Sequence, residues 1–310
     1  MNTKGMVPMS EYTISQWLFF FYFYCFIGWC YESTYVSIRQ QHFVNRGFMR
    51  GPFLPLYGSG AIIMLIVSLP FKGNLMMIYI AGCVGATTLE FLTGFVMERL
   101  FRMRYWDYSK QYFNCNGYIF LQATLLWGFL TIFMTQYWHK PIERFALAVP
   151  AKVMDPMVSV VTLILVIDFT LSFKTALDLR NILLKVSQAK ADMLRIKKRL
   201  DVLVAVNGED RQMFKLDLEI KTDELRLLIE ERLEQLRAKA SNSELLESAI
   251  EEFNDLKEKY HINLEIRSRL LNIKDSFQRA MLQGNPYMVS EKFRDTLEDM
   301  KEAARKKRNK

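Results

Sequence analysis

The feature that most constrains this chain is the uneven placement of its charged residues. Only 12 of the 41 lysines and arginines precede Phe173, and the acidic residues divide 8 and 25 at the same point. All five tryptophans and all four cysteines lie in the first part. The sequence therefore predicts a membrane half joined to a charged helical half. It excludes a single soluble domain and a disulfide scaffold.

Five apolar stretches approach the length of about 20 residues that a helix needs to cross a bilayer. They cover residues 14–38, 52–69, 75–97, 117–138 and 153–173. We therefore predict an all-α fold, with a polytopic membrane helix bundle of about five transmembrane helices in residues 14–173. An N-terminal arm of residues 1–13 precedes it.

The basic residues of the short loops predict how these spans are oriented, because such loops stay preferentially in the cytoplasm. The loops after the first and third spans hold Arg39, Arg46, Arg50, Arg99, Arg102, Arg104 and Lys110. The loop after the second span holds only Lys72, whereas the loop after the fourth span holds Lys140, Arg144 and Lys152 and weakens the contrast. We expect a multi-pass protein of the cell membrane with its N-terminus outside and its C-terminal region in the cytoplasm. A re-entrant second span would change this orientation.

Residues 174–310 form the charged half, and their apolar residues recur at helical spacing. The breaks at Gly208, at Ser241–Ser243 and at Gly284–Pro286 predict helices over about 174–205, 211–240, 244–282 and 288–305. Amphipathic helices cannot bury their apolar stripes alone, so we expect an antiparallel helical or coiled-coil region. Two interpretations remain open: a stalk that assembles a homo-oligomer, and an arm that docks a helical partner.

Ionisable residues inside spans are costly and usually have a purpose. With the predicted orientation, those of this chain converge on the cytoplasmic third of the membrane. The candidate residues for binding a substrate or ion are Glu32, Arg46, Glu90, Glu98, Arg99, Asp107, Asn114 and Asn116, with Asp168 in addition. Buried hydrogen bonds or ion pairs with arginine are the alternative role for the carboxylates.

The third span carries a stripe of small residues that predicts its neighbour. Gly82, Ala86, Glu90 and Gly94 recur every four residues, which allows another helix to approach closely. The first span offers a similar face with Gly28 and Glu32. We expect these two spans to pack together with their carboxylates on a shared cavity.

Several kinds of chemistry have no motif in this chain. There is no zinc spacing, no Walker motif and no Gly-x-Ser-x-Gly elbow, so we expect no metal, no cofactor and no enzyme activity. Acids nearly match bases in the charged half, so we expect no nucleic-acid partner. An intramembrane enzyme acting on lipids, with Glu90 or Asp107 as acid or base, is the remaining catalytic alternative.

Residues 15–137 resemble the bacterial family called "putative ABC-transporter permease, type IV". The resemblance lies in Gly28-Trp29 with Glu32, Asn45-Arg46-Gly47-Phe48, Gly51-Pro52, Leu89-Glu90, Trp106-Asp107-Tyr108-Ser109, Asn114, Gly117 and Trp127-Gly128. In this family a basic residue often follows the glycine equivalent to Gly117, and here Tyr118 stands there. The resemblance implies transport and an ATPase subunit on a separate chain.

These observations favour a permease-like membrane subunit with a polar pocket near its cytoplasmic face. The pocket would bind a polar solute, an ion or a lipid headgroup, and membrane lipids would surround the protein. The alternative is a membrane sensor or scaffold whose coiled coil acts as an output or assembly arm.

Overall fold

The computed structural model describes residues 12–206 and 244–306, and it is built of α-helices with one short β-hairpin. This confirms the all-α prediction. The helices are α1 (Ile14–Gln40), α2 (Pro55–Ser68), α3 (Leu75–Phe101), α4 (Leu121–Phe133), α5 (His139–Ala148), α6 (Ala151–Val206), α7 (Glu244–Leu271), α8 (Ser276–Gly284) and α9 (Arg294–Lys306). The hairpin strands are β1 (Asn114–Cys115) and β2 (Ile119–Phe120). The predicted helix over 211–240 lies outside the described residues.

Local sequence signals fix where several of these helices begin. Thr13 caps α1 in a capping box with Gln16, and Asn74 accepts the N–H of Met77 at the start of α3. Pro55 occupies the first turn of α2, where its missing N–H costs nothing.

The chain divides into two compact units, Met1–Asn181 with Lys274–Lys310, and Ile182–Ile273. In the first unit α2 packs against both α1 and α3, and α3 packs along α4. Its apolar core joins Phe20 and Tyr24 of α1 with Met64 of α2 and Met154 of α6. In the second unit the buried side chains of α6 follow one face, and Arg199 forms an ion pair with Glu252 at 2.7 Å.

Several helix boundaries differ from the predicted ones. Residues 153–205 were expected as a span and a separate helix, but α6 is continuous because no glycine or internal break separates them. The predicted helix over 244–282 is instead two helices, since Asp275 caps a new one at Ser276. The last helix begins at Arg294 rather than near residue 288.

By length and composition, two helices of the described chain could cross a membrane, rather than the five expected. These are α3 and the first 46 residues of α6. α2 is too short at 14 residues, and α4 is interrupted after Phe133 by a π-helical turn, Met134–Trp138. α1 is long enough, but its tyrosines, tryptophans and Glu32 lower its mean hydropathy. The most apolar windows of the two qualifying helices are only 22% and 17% buried, unlike the core helices of soluble proteins.

The small residues of α3 pack against partners other than the expected one. Gly82 faces Thr131 of α4, and Gly94 faces Tyr118 beside the hairpin. α1 packs mainly on α2, where Gly28 makes room for the ring of Tyr57. The predicted direct packing of the first and third spans is therefore wrong, because α2 lies between them.

The close approach of α3 and α4 at Gly82 is testable. A Cβ atom at Gly82 would overlap the Thr131 side chain, so we expect Gly82→Ala to lower the free energy of unfolding by about 1–3 kcal/mol. At Gly60 of α2, by contrast, a Cβ would lie 3.9 Å from Leu89. There alanine should raise stability by up to about 1 kcal/mol, because it is the better helix former. Thermal unfolding of the purified protein would compare the two variants, and equal effects would contradict this packing.

Candidate functional site

Glu32 of α1 is held by groups from two other segments of the chain, α2 and the loop after α1. Tyr57 of α2 donates its hydroxyl to Glu32 Oε1 at 2.7 Å. Arg46, in the loop after α1, brings its Nε to 3.7 Å from Glu32 Oε2. The Arg46 backbone N–H donates to Ser33 Oγ at 3.1 Å, which fixes the loop against the same helix. The predicted neighbours Glu32 and Arg46 thus lie together.

Glu90 of α3 is buried, and its partners are aromatic side chains. Trp127 of α4 donates its indole N–H to Glu90 Oε2 at 2.8 Å. Tyr108, in the loop after α3, lies close enough for the Glu90 carboxylate to raise the pKa of its phenol. No arginine is needed to satisfy this carboxylate, which explains how it can lie between apolar helices.

Tyr108 connects these two groups into one polar cluster. Burial raises the pKa of its phenol most, and the nearby Glu90 carboxylate raises it further. Glu32 also raises this pKa and Arg46 lowers it, so both charges act on the same hydroxyl. The Glu32–Glu90 cluster, as we name it, comprises Glu32, Arg46, Tyr57, Glu90, Tyr108 and Trp127. It brings together three of the predicted residues.

A second cluster surrounds Arg104, which the sequence analysis left out of the candidate site. Its Nε donates to Glu98 Oε2 at 2.6 Å, and its two terminal nitrogens reach the Asn116 carbonyl at 2.9 Å and Glu291 at 2.8 Å. Its guanidinium also lies over the Tyr118 ring, 4.6 Å from the centroid. Tyr118 itself donates its hydroxyl to Glu98. Arg104 therefore places a positive charge against the ring of Tyr118.

Asp107, Asn114 and Asn116 shape the loop that leads into the hairpin. Asp107 accepts the N–H and the hydroxyl of Ser109 at 3.0 and 2.9 Å. Asn114 donates to two loop carbonyls and accepts the N–H of Gly117. The side chain of Asn116 is exposed, and only its carbonyl contributes to the Arg104 cluster. With the C-terminal segment they line a cleft of about 520 Å³.

The remaining two predicted residues do not join either cluster. Arg99 is exposed near the end of α3. Asp168 of α6 accepts the backbone N–H groups of Arg50 and Gly51 at 3.2 and 2.8 Å, so it holds the loop before α2. Its role in the described structure is to satisfy the backbone of that loop.

Another buried polar group lies on α1 and α5 and was missed by the sequence analysis. His139 is 1% exposed, and its Nδ1 lies 3.0 Å from the Tyr24 hydroxyl. Glu143, one turn further along α5, is also buried and accepts the hydroxyl of Tyr12. The sequence did offer a signal for this group: a histidine and a glutamate four residues apart lie on one helix face, directly after an apolar stretch.

Sequence reasoning also missed the part played by the C-terminal segment. Asn285 accepts from the Arg46 guanidinium, and Glu291 accepts from Arg104. These contacts join residues 239 and 187 positions apart, and no local pattern encodes them. Within the described residues, no group of three or more histidine, cysteine, aspartate or glutamate side chains could hold a metal ion.

In the described residues, α3 and α6 leave long apolar faces exposed while carboxylates and guanidinium groups gather between helices, which is typical of membrane proteins. The family model described as putative ABC-transporter type IV matches residues 19–173, half of the chain, and the protein belongs to that family. This confirms the resemblance found in the sequence. No curated protein and no solved structure matches the chain.

The Arg104 cluster gives a prediction about stability. Because Arg104 is almost buried and serves two carboxylates, we expect Arg104→Gln to lower the free energy of unfolding by about 3 kcal/mol. Glu291 is largely exposed, so Glu291→Gln should cost less than about 1 kcal/mol. Chemical unfolding of both variants in detergent checks the difference, and a similar cost for the two would show that the pair with Glu98 contributes little.

Tyr105, in the loop after α3, gives a prediction about alkaline stability. Burial raises the pKa of its phenol above the ordinary value of 10.0, an effect that Arg46 partly opposes. The folded state therefore favours the neutral phenol, and this stability is present below pH 10 and lost as the pH rises further. We expect the free energy of unfolding to fall less steeply with rising pH above pH 10 in Tyr105→Phe than in the parent protein. The exposed Tyr112→Phe is the matched control and should follow the parent.

Proposed function

We propose that this protein is a multi-pass, permease-like membrane subunit whose Glu32–Glu90 cluster binds a polar solute from the cytoplasmic side. The family match and the two exposed apolar helices support a location in the membrane. The N-terminus lies outside, and the loops after α1 and α3 face the cytoplasm.

The observation that carries the proposal is the convergence of two carboxylates from separate helices on one set of polar groups. Arg46 Nε lies 3.7 Å from Glu32 Oε2, and both carboxylates raise the pKa of the Tyr108 phenol in the loop after α3. Carboxylates between apolar helices are costly, and they typically mark a pathway for ions or solutes. The aromatic donors Tyr57 and Trp127 are hydrogen-bonded to these carboxylates and orient them.

The charge of the cluster supports a class of ligand. The cluster contains two carboxylates and one guanidinium, so its formal balance is one negative charge. Tyr57, Tyr108 and Trp127 add aromatic faces, which attract cations through their ring electrons. We infer that the preferred ligand carries an ammonium or similar cationic group, either as a free solute or as a lipid headgroup.

Transport against a gradient would need a separate source of energy. The chain has no phosphate-binding loop of the Walker type. Membership of an ABC-transporter family supports a partner subunit that hydrolyses ATP. Affinity purification of the full chain from its native membrane should recover such a subunit, together with ATP hydrolysis. Purification of the chain without any ATPase activity would leave solute binding as its only proposed function.

A membrane sensor is the second candidate, and one observation favours it. Residues 285–291 form hydrogen bonds with the loops that carry Arg46 and Arg104. Ligand binding at the Glu32–Glu90 cluster could therefore alter the C-terminal segment. A ligand-dependent change in protection of residues 285–291, without any flux through liposomes, would favour the sensor over the permease. Assembly through a coiled coil in residues 174–310 fits either function.

The proposed binding of a cation predicts a specific loss. We expect Glu90→Gln to weaken binding of radiolabelled choline by about tenfold or more, because one charged hydrogen-bond acceptor is removed. Glu258→Gln changes an exposed acid of α7 in the same way and should leave binding unaltered. Inorganic phosphate serves as the anionic probe. Preference for phosphate, or equal choline binding by Glu90→Gln, would contradict the proposal.

A further inference from the structure

The chain has a C-terminal segment, Gly284–Glu291, that pairs with the loop after α3. The backbone N–H of Arg104 donates to the carbonyl of Val289 at 2.7 Å, and the N–H of Val289 donates back at 2.9 Å. Ser290 donates its hydroxyl to the carbonyl of Arg102 at 2.7 Å. We call residues Gly284–Glu291 the strap. It lies more than 100 residues beyond the part of the chain that matches the family.

The strap also holds the loop after α1, through Asn285. This side chain is fully buried, and its oxygen accepts a hydrogen bond from the Arg46 guanidinium. Its amide nitrogen donates to the carbonyls of Gly47 at 3.0 Å and Met281 at 2.8 Å. Asn285 thus occupies Nη1 of Arg46, whereas Glu32 lies beside Nε of the same side chain.

Close backbone approach at Gly284 allows this docking. A Cβ atom at Gly284 would overlap the carbonyl oxygen of Asn45. Because that atom belongs to the backbone, it cannot rotate away as a side chain would. Any larger residue at position 284 must therefore push the strap off the loop.

The other end of the strap is braced by α9. Lys301 is 4% exposed, and its ammonium group donates to the carbonyls of Pro286, at 3.2 Å, and Met288. It also pairs with Glu298 at 2.8 Å. Most contacts of the strap with the two loops are hydrogen bonds or charge pairs, which water can replace when the strap separates. Met288, which is fully buried, is its main apolar anchor.

We propose that the strap is a built-in cover over the Arg46 side of the Glu32–Glu90 cluster, and that it lifts to open the cluster to the cytoplasm. The role of this cover rests on the proposed function. The docking and release of the strap, however, can be measured without a ligand. With the strap in place, Arg46 and Arg104 are both shielded and held by Asn285 and Glu291. With the strap lifted, both guanidinium groups gain access to water.

Chemical labelling of arginine tests the cover on the full chain in detergent or nanodiscs. Phenylglyoxal modifies accessible arginines, and mass spectrometry gives the rate at each site. We expect Gly284→Val to speed modification of both Arg46 and Arg104 by about tenfold or more, as for the opening of a protected segment. Arg99 is already exposed and serves as the internal reference, with the same rate in both proteins.

A second variant separates release of the strap from general unfolding. Asn285→Ala removes the amide that holds Arg46 and leaves the pairing of Val289 with Arg104 intact. We expect it to speed modification of Arg46 while Arg104 stays slow. Unchanged labelling of Arg46 in both variants would overturn the cover. So would equal acceleration at Arg46 and Arg104 in Asn285→Ala, since that indicates loss of the fold.

The same variants distinguish failure of the cover from failure of the proposed function. If the strap gates the cluster, Gly284→Val should bind choline with a faster association rate than the parent chain. Faster labelling of Arg46 with no change in that rate would overturn gating. Absence of choline binding in both proteins would count against the proposed function, while the labelling rates would still decide whether the strap covers Arg46.

Discussion

Two largely buried arginine side chains, those of Arg46 and Arg104, hold the polar end of the first unit together. A guanidinium group carries a permanent charge and five donors, so it must find several acceptors wherever water is excluded. Arg46 meets this demand with Glu32, Asn285 and the Tyr105 carbonyl. Arg104 meets it with Glu98, Asn116 and Glu291. Each arginine thereby joins a helix end, a loop and the C-terminal segment, and the polar groups between the helices depend on that arrangement.

The sequence predicted those parts of the structure that follow from local patterns. The helical class, the membrane half and the family all rest on runs of apolar residues and on short motifs, and such signals act over a few turns. The proximity of Glu32 and Arg46 could be predicted because only a short loop separates them. The four-residue spacing of small residues also predicted that Gly82 contacts another helix, but it did not predict that this helix is α4.

What the sequence did not predict depends on contacts between distant segments. Asn285 and Glu291 have no local signature, since their partners lie 187 to 239 positions away. Asp168 looked like a site residue because it is charged and lies in a span, yet it caps the backbone at Arg50 and Gly51. Asp107 and Asn114 similarly form hydrogen bonds within the loop to which they belong. Polarity in an apolar segment shows that a partner is required, but not whether the partner is a ligand or the chain itself.

The π-helical turn before α5 determines which side chains face the core. In this turn the N–H of His139 donates to the carbonyl of Met134, five residues back, so the helix holds one residue more than a regular turn. One residue corresponds to a rotation of about 100° around a helix axis. The extra residue therefore sets the phase of all that follows, and it directs His139 and Glu143 inward to Tyr24 and Tyr12. A chain of the same composition but one residue shorter here would present this acid–base pair to a different neighbour.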